Sequence, residues 1–231
     1  MEFSVNPKIF QLFPDLRLGV LVSSGIKNHG EKKEIENLLR KAESEIRLRL
    51  DLETVKDNPL ISNWRAAYKD LKVKDGRPSH EALIRRVLKG GQLPHINNLV
   101  DIYNYLSLRY MTPFGGEDLD KINGNIQLRF AQGTEEFIEL GSSELTHPNP
   151  DEVIYSDEEK VLCRKFNWRE SDLTKLTEGT KEAFFVTEAL PPINEDILHK
   201  ALEEFSNYLT SYCDAEVRIF ILDKSRMEIQ W

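Results

Sequence analysis

The hydrophobic pattern of this chain changes its period partway along, and this change constrains the fold more than any other feature. In the first half, apolar residues such as Ile35, Leu39 and Ile46 recur at the spacing of an amphipathic helix. In the second half, Ile126 and Leu128 alternate with polar neighbours, as in a half-buried strand. Helices that gather early and strands that gather late predict an α+β fold.

The remaining elements follow from periodicity, caps and turn residues. Asn58 followed by Pro59 predicts the start of one helix, and Ser79 predicts the cap of the next. The other predicted helices cover residues 97–110 and 197–212. Predicted strands cover residues 16–22, 126–130, 136–140, 152–156, 160–164, 183–190 and 216–223, and residues 227–230 are a candidate hairpin partner of the last one. Because neither a flexible linker nor an internal repeat interrupts the pattern, we expect one unit over residues 1–231.

Composition excludes several classes of protein. The net charge of −8 argues against a general nucleic-acid coat, which needs positive charge, and we expect no DNA partner. No apolar run approaches the roughly 20 residues that a membrane helix needs, so we expect no membrane partner. The N-terminus lacks the pattern of a secretory signal, and two cysteines do not form a disulfide framework. These features favour a cytoplasmic protein.

The usual chemical motifs are missing. The five histidines are scattered without ligand spacing, so the sequence predicts no metal site. Neither a Walker loop nor a GxGxxG segment after a strand is present, and we expect no ATP or dinucleotide cofactor. Cys163 lies in an apolar strand, which favours a buried, inert thiol over a nucleophile.

Two polar features stand out against their surroundings. Asn97, Asp101 and Asn104 share one helix face, where they either hydrogen-bond neighbouring loops, the interpretation that we favour, or line a pocket. Glu188 shares a strand face with apolar residues such as Phe184. A carboxylate in that place loses hydration, needs a partner and often has a raised pKa. The alternative is that the strand ends there and Glu188 reaches water.

The middle of the chain resembles a known family. Residues 96–108, Pro113, the Asp-Leu-Asp-Lys-Ile-Asn-Gly segment at 118–124 and the strand at 128–131 resemble, in order and spacing, the B3/B4 domain of the bacterial phenylalanyl-tRNA synthetase β subunit. Thr180 with residues 184–189 resembles a further strand of that domain. The similarity runs over about 94–190, and the flanks look like free-standing B3/B4 proteins. It divides the expected unit into a helical part (1–93), a core (94–190) and a helix-strand part (191–231).

The resemblance implies a mixed or antiparallel sheet with helices packed around a central pocket. In the synthetase this pocket hydrolyses tyrosine wrongly attached to phenylalanine tRNA, and the glutamate matching Glu188 recognises the tyrosine side chain. This chain departs from the synthetase pattern at Gly115, where the synthetase has a histidine that lines the pocket. Either another group supplies the chemistry, or the specificity differs, or there is none. Gly115 and Gly116 can instead let a substrate approach the backbone.

These considerations give two hypotheses. The first is a stand-alone aminoacyl-tRNA deacylase, an ester hydrolase rather than an aminoacyl-tRNA ligase, whose partner is tRNA or aminoacyl-tRNA. The second is a non-catalytic module that binds RNA or a small amino-acid-like ligand. The catalytic group is unassigned, and no cofactor is expected. The expected pocket residues are Glu188, Gly115, Gly116, Thr180, Asn167 and Arg169, and the expected RNA-binding residues are Arg85, Arg86 and Lys89.

Overall fold

A computed structural model describes residues 1–74 and 76–231. The helices are α1 (Pro7–Leu12), α2 (Lys33–Arg49), α3 (Pro59–Asp70), α4 (Ser79–Leu88), α5 (Asn98–Tyr110) and α6 (Glu195–Cys213). The strands are β1 (Glu2–Val5), β2 (Arg17–Ser24), β3 (Phe114–Asp118), β4 (Ile126–Phe130), β5 (Phe137–Ile138), β6 (Leu145–Thr146), β7 (Val153–Ser156), β8 (Val161–Arg164), β9 (Arg169–Glu170), β10 (Ala183–Ala189), β11 (Glu216–Leu222) and β12 (Glu228–Gln230).

A side-chain cap begins α3 where the sequence predicts it, but the cap predicted at Ser79 is wrong: Ser79 is the first residue of α4, Pro78 takes the cap position, and no side chain of the described residues caps this helix. Asn58 accepts a hydrogen bond from the backbone N–H of Leu60, and Pro59 occupies the first turn of α3. Asn97 caps α5 by accepting from the N–H of Val100, and Asn194 caps α6 in the same way. Of the helices in the described part of the chain, none is both long and apolar enough to cross a membrane.

The strands form two main sheets in the described residues. One has the order β12-β1-β4-β7-β8-β9, with β1 parallel to β4 and the other pairs antiparallel. The other has the antiparallel order β11-β2-β10-β3. The short strands β5 and β6 pair separately. The strands β3 and β9 are therefore edge strands of their sheets.

Strand β10 separates two hydrophobic cores. Phe185 belongs to the core that the four-stranded sheet forms with α2, α4, α5 and α6. Phe184 and Val186 belong to the second core, with Phe3 and Leu128 of the six-stranded sheet. Because alternate side chains of a strand point to opposite faces, Glu188 lies on the same face as Phe184 and Val186. Its carboxylate is thus directed between the two sheets.

The α+β prediction is confirmed, with a mixed sheet as expected. The prediction missed β1, α1 and β3, and the two-residue strands β6 and β9. Residues 2–12 are too short for a periodic pattern to develop, and the glycines in β3 have low strand propensity. The strand predicted over 136–140 is limited to Phe137–Ile138.

Candidate functional site

Glu188 is the buried acid at the centre of the candidate site. Its residue is 2% exposed, on a strand whose seven residues are all buried. The hydroxyl of Tyr155 donates to Glu188 Oε1 at 2.6 Å. The amide Nδ2 of Asn167 donates to Glu188 Oε2 at 3.3 Å, and the Tyr68 hydroxyl lies 2.8 Å from Asn167 Oδ1. These contacts hold the carboxylate in one orientation.

Burial raises the pKa of Glu188 to about 7, although the hydrogen bonds from Tyr155 and Asn167 oppose the shift. The carboxyl group therefore changes its charge near neutral pH. Groups with pKa values near the working pH occur often at catalytic and binding sites.

A small cavity lies beside this carboxylate. Its volume is about 20 Å³, which is room for about one water molecule. Apolar side chains form much of the wall, and Ser79 and Gly115 are partly exposed at its edge. Its lining residues are Ser79, Phe114, Gly115, Gly116, Glu117, Tyr155, Leu162, Cys163, Phe166, Asn167, Glu170, Phe184, Val186 and Glu188. A group larger than water must displace side chains to enter.

A pair of carboxyl groups, Glu117 and Glu170, lines the same cavity. Glu117 lies on β3 and is buried, and Glu170 lies on β9 and is partly exposed. Burial raises the pKa of both, and the charge of Glu170 raises that of Glu117 further. The pKa of Glu170 is raised to about 6.

The two glycines of β3 play different structural roles. A Cβ at Gly115 would lie 3.2 Å from Glu170 Oε1, so Glu170 occupies the space beside the position where the synthetase pattern has histidine. A Cβ at Gly116 would overlap the ring of Phe185. Packing therefore explains Gly116, whereas Gly115 faces the carboxyl group.

This difference gives a stability prediction. Gly116→Ala should destabilise the protein by about 1–3 kcal/mol, because the new methyl group forces the Phe185 ring to move within a packed core. Gly115→Ala should change stability by about 0.5 kcal/mol or less, since it meets only the end of a flexible side chain. Urea unfolding of both variants measures the difference. Equal losses would contradict this account.

The structure brings four of the expected pocket residues together, namely Glu188, Gly115, Gly116 and Asn167. Thr180 and Arg169 do not line this cavity. The buried Thr180 hydroxyl donates to Asp118 Oδ2 at 2.8 Å and accepts from the N–H of Thr177, which fixes a loop. The exposed Arg169 pairs with Glu139 at 2.8 Å.

Sequence reasoning missed several residues of the site. Tyr155, Glu117 and Glu170 carry no local motif, although Glu117 lies two residues from Gly115 and so on the same strand face. Cys163 also lines the cavity, and burial raises the pKa of its thiol well above the ordinary value. A thiol that stays protonated is a poor nucleophile.

Polar residues at the start of α5 form hydrogen bonds with neighbouring loops. Asn97 donates to the carbonyl of Leu176, and Asp101 accepts from the N–H of Ile96 and lies 2.6 Å from the His95 ring. These residues are absent from the lining of the cavity within the described chain.

The expected RNA-binding residues lie at the C-terminal end of α4. Arg86 and Lys89 are exposed, and Arg85 is partly buried with Nη1 3.9 Å from Glu81. Ser79, at the other end of this 10-residue helix, lines the cavity. At 1.5 Å per residue, the basic end lies about 14 Å along the helix from the cavity.

Comparison with known proteins gives consistent matches. A family model described as "B3/4 domain" matches residues 64–214. The phenylalanine–tRNA ligase β subunit of Fusobacterium nucleatum is 37% identical over 95 residues, which cover 41% of this chain and 11% of that protein. The same subunit of Photorhabdus laumondii is 25% identical over 183 residues, covering 69% of this chain and 22% of that protein. The matches thus span about a tenth to a fifth of these relatives.

Among solved structures, an N-terminal fragment of the phenylalanyl-tRNA synthetase β subunit from Pyrococcus horikoshii is similar with a TM-score of 0.48 and 14% identity. The similarity covers 94% of this chain and 50% of that one.

Proposed function

The chain belongs to the B3/4 domain family, and from this membership we propose that it binds aminoacyl-tRNA and hydrolyses the ester between the amino acid and the tRNA. The observation that carries the proposal is Glu188, a buried and oriented carboxylate at the wall of a cavity that is closed on another side by the backbone of Gly115 and Gly116. Relatives of this chain are β subunits of phenylalanine–tRNA ligase, an enzyme whose name includes tRNA.

In this proposal Glu188 contacts the side chain of the attached amino acid. Its two hydrogen-bond donors, Tyr155 and Asn167, keep it in place while the amino acid enters. The ester must then lie near β3. Because β3 is an edge strand, alternate peptide groups point away from β10. The N–H of Asp118 donates to the carbonyl of Thr174, so a substrate would have to use the N–H groups nearer the start of the strand.

Hydrolysis requires that a water oxygen attack the carbonyl carbon, that the C–O bond to the ribose break, and that the ribose oxygen take up a proton. Backbone N–H groups of the β3 edge would stabilise the negative oxygen of the tetrahedral intermediate. Orientation of the water and the ester supplies much of the acceleration. The cavity, about 20 Å³, has room for about one water molecule, so the amino acid and its ester must displace side chains to reach Glu188 and β3.

The tRNA body would contact the exposed basic end of α4. Arg86 and Lys89 are exposed there, and the 3′ end would reach the cavity beside Ser79. Such contacts to phosphates give no base specificity and weaken with salt.

The test offers this chain a panel of radiolabelled aminoacyl-tRNAs, cognate and mischarged, and follows the loss of the ester. We expect one class of ester to be cleaved faster than the uncatalysed rate, and Arg86→Ala with Lys89→Ala to weaken tRNA binding. Each lost phosphate contact should reduce the slope of log affinity against log salt by about 1. The exposed Glu203→Gln is the control. Cleavage of no ester in the panel would overturn the proposal.

The second candidate is a non-catalytic binding module, and one observation favours it specifically. Gly115 supplies no imidazole where the synthetase pattern has histidine, so that proton carrier is missing. In the same panel, salt-sensitive tRNA binding without ester loss is the result expected for this module.

A further inference from the structure

The Glu117–Glu170 pair forms where the edges of the two sheets meet. Glu117 lies on the edge strand β3 and Glu170 on the edge strand β9, and both line the cavity. Glu117 is only 6% exposed, and its Oε2 atom has no hydrogen-bond partner in the described residues. A buried carboxylate oxygen that accepts no hydrogen bond lowers the stability of the folded protein. A ligand that donates a hydrogen bond to Glu117 Oε2 would remove this cost.

The charge around this pair is one-sided. Among the described residues that line the cavity there is no Lys, Arg or His, but there are three glutamates, Glu117, Glu170 and Glu188. Cys163 and Tyr155 add neutral groups that burial keeps protonated. A ligand with positive charge and N–H donors therefore complements the cavity, whereas an anion would be repelled.

We propose that the Glu117–Glu170 pair binds the primary ammonium group of a ligand. An ammonium group is close to water in size, so the ammonium end of a ligand fits a cavity of about 20 Å³, whereas the rest of the ligand must displace side chains or stay at the partly exposed edge beside Ser79 and Gly115. Its N–H groups would donate to Glu117 Oε2 and to Glu170. A metal ion is the less suitable cation, because the described residues contain no group of three or more His, Cys, Asp or Glu placed to hold one.

This inference rests on the proposed function only in one respect, namely which molecule carries the ammonium group. If the ligand is an aminoacyl ester, the ammonium is either the α-amino group, with the side chain pointing toward Glu188, or an amine at the end of the side chain. Two small ligands separate these sources. Norleucine amide carries only the α-ammonium, and Nα-acetyl-lysine amide carries only the side-chain ammonium.

The experiment measures ligand-induced thermal shifts and calorimetric binding at pH 7.5 and constant ionic strength. We expect saturable stabilisation by ethylammonium and by one of the two amides, and none by ethanol or tetramethylammonium, which lack an ammonium N–H. E117Q and E170Q should each weaken amine affinity roughly tenfold or more, since a hydrogen bond to a charged group is lost. E203Q, on the exposed face of α6, should leave the affinity unchanged.

The outcomes separate this inference from the proposed function. No amine binding by the folded protein, or equal binding by E117Q, E170Q and the unsubstituted chain, would overturn it even if esters are cleaved. Conversely, amine binding that E117Q and E170Q both weaken would uphold it even if the tRNA panel shows no ester loss.

Discussion

Glu188→Gln is expected to slow ester hydrolysis by about a hundredfold while leaving the protein folded. Glutamine has nearly the same shape as glutamate, so the change removes the negative charge and leaves the volume of the buried site intact. Glu188 is held from two sides by Tyr155 and Asn167, and the substituted amide cannot accept from both in the same way. Loss of a positioned contact that orients a substrate typically costs about a hundredfold in rate.

The measurement is single-turnover ester loss from the aminoacyl-tRNA that the panel identifies. Tyr155→Phe removes the donor at 2.6 Å without touching the carboxylate and should give a smaller loss, about tenfold. Glu203→Gln, at an exposed carboxylate, serves as the matched control. If Glu188→Gln cleaves the ester at the rate of the control, Glu188 does not contact the substrate and its burial is a matter of folding alone.

Local pattern left two alternatives for Glu188, a buried carboxylate or a strand end that reaches water, and the family resemblance favoured the first. Its strand alternates, and Phe184 and Val186 on the same face predict that the carboxylate points into a core, as the structure shows. The α+β class likewise follows from the change in the period of the hydrophobic residues, because helices and strands each have a characteristic spacing of apolar residues.

The second carboxyl pair could not be predicted in this way. Glu117 and Glu170 are 53 positions apart in the sequence and meet only because β3 and β9 are the edges of two sheets that pack together. The local sequence pattern does not predict which edges of the two sheets lie next to each other. Strand β3 was missed as well, since glycine has low strand propensity and β3 is a strand through its pairing with β10, which lies far away in the sequence.

The stability of the protein is expected to fall as pH rises from about 5 to 7.5, and Glu188 is expected to contribute to that fall. Burial raises its pKa from 4.5 in the unfolded chain to about 7 in the folded protein. The folded state then binds more protons than the unfolded state between these two values, so stability decreases with pH over that window. A shift of this size corresponds to about 3 kcal/mol.

Other groups act in both directions. Burial lowers the pKa of His80 to about 4, so its contribution to stability grows as pH rises to about 6.5 and opposes the Glu188 trend, whereas the raised pKa of Glu117 acts in the same direction as that of Glu188. Glu170, with a pKa raised to about 6, contributes in the same direction over a narrower window. Glu135 and Asp157 have lowered pKa values, so their contributions to stability are lost only as pH falls below the ordinary range.

Urea unfolding at pH 5.0, 6.0, 7.0 and 7.5 tests this, with the unsubstituted chain compared with Glu188→Gln. The variant cannot ionise at this position, so its free energy of unfolding should fall less steeply over the interval than that of the unsubstituted chain. The slope is the informative quantity, because glutamine also changes the hydrogen bonds with Tyr155 and Asn167 and so shifts stability at every pH. Parallel curves for the two proteins would mean that Glu188 titrates at its ordinary pKa, and that the site does not hold a proton near neutral pH.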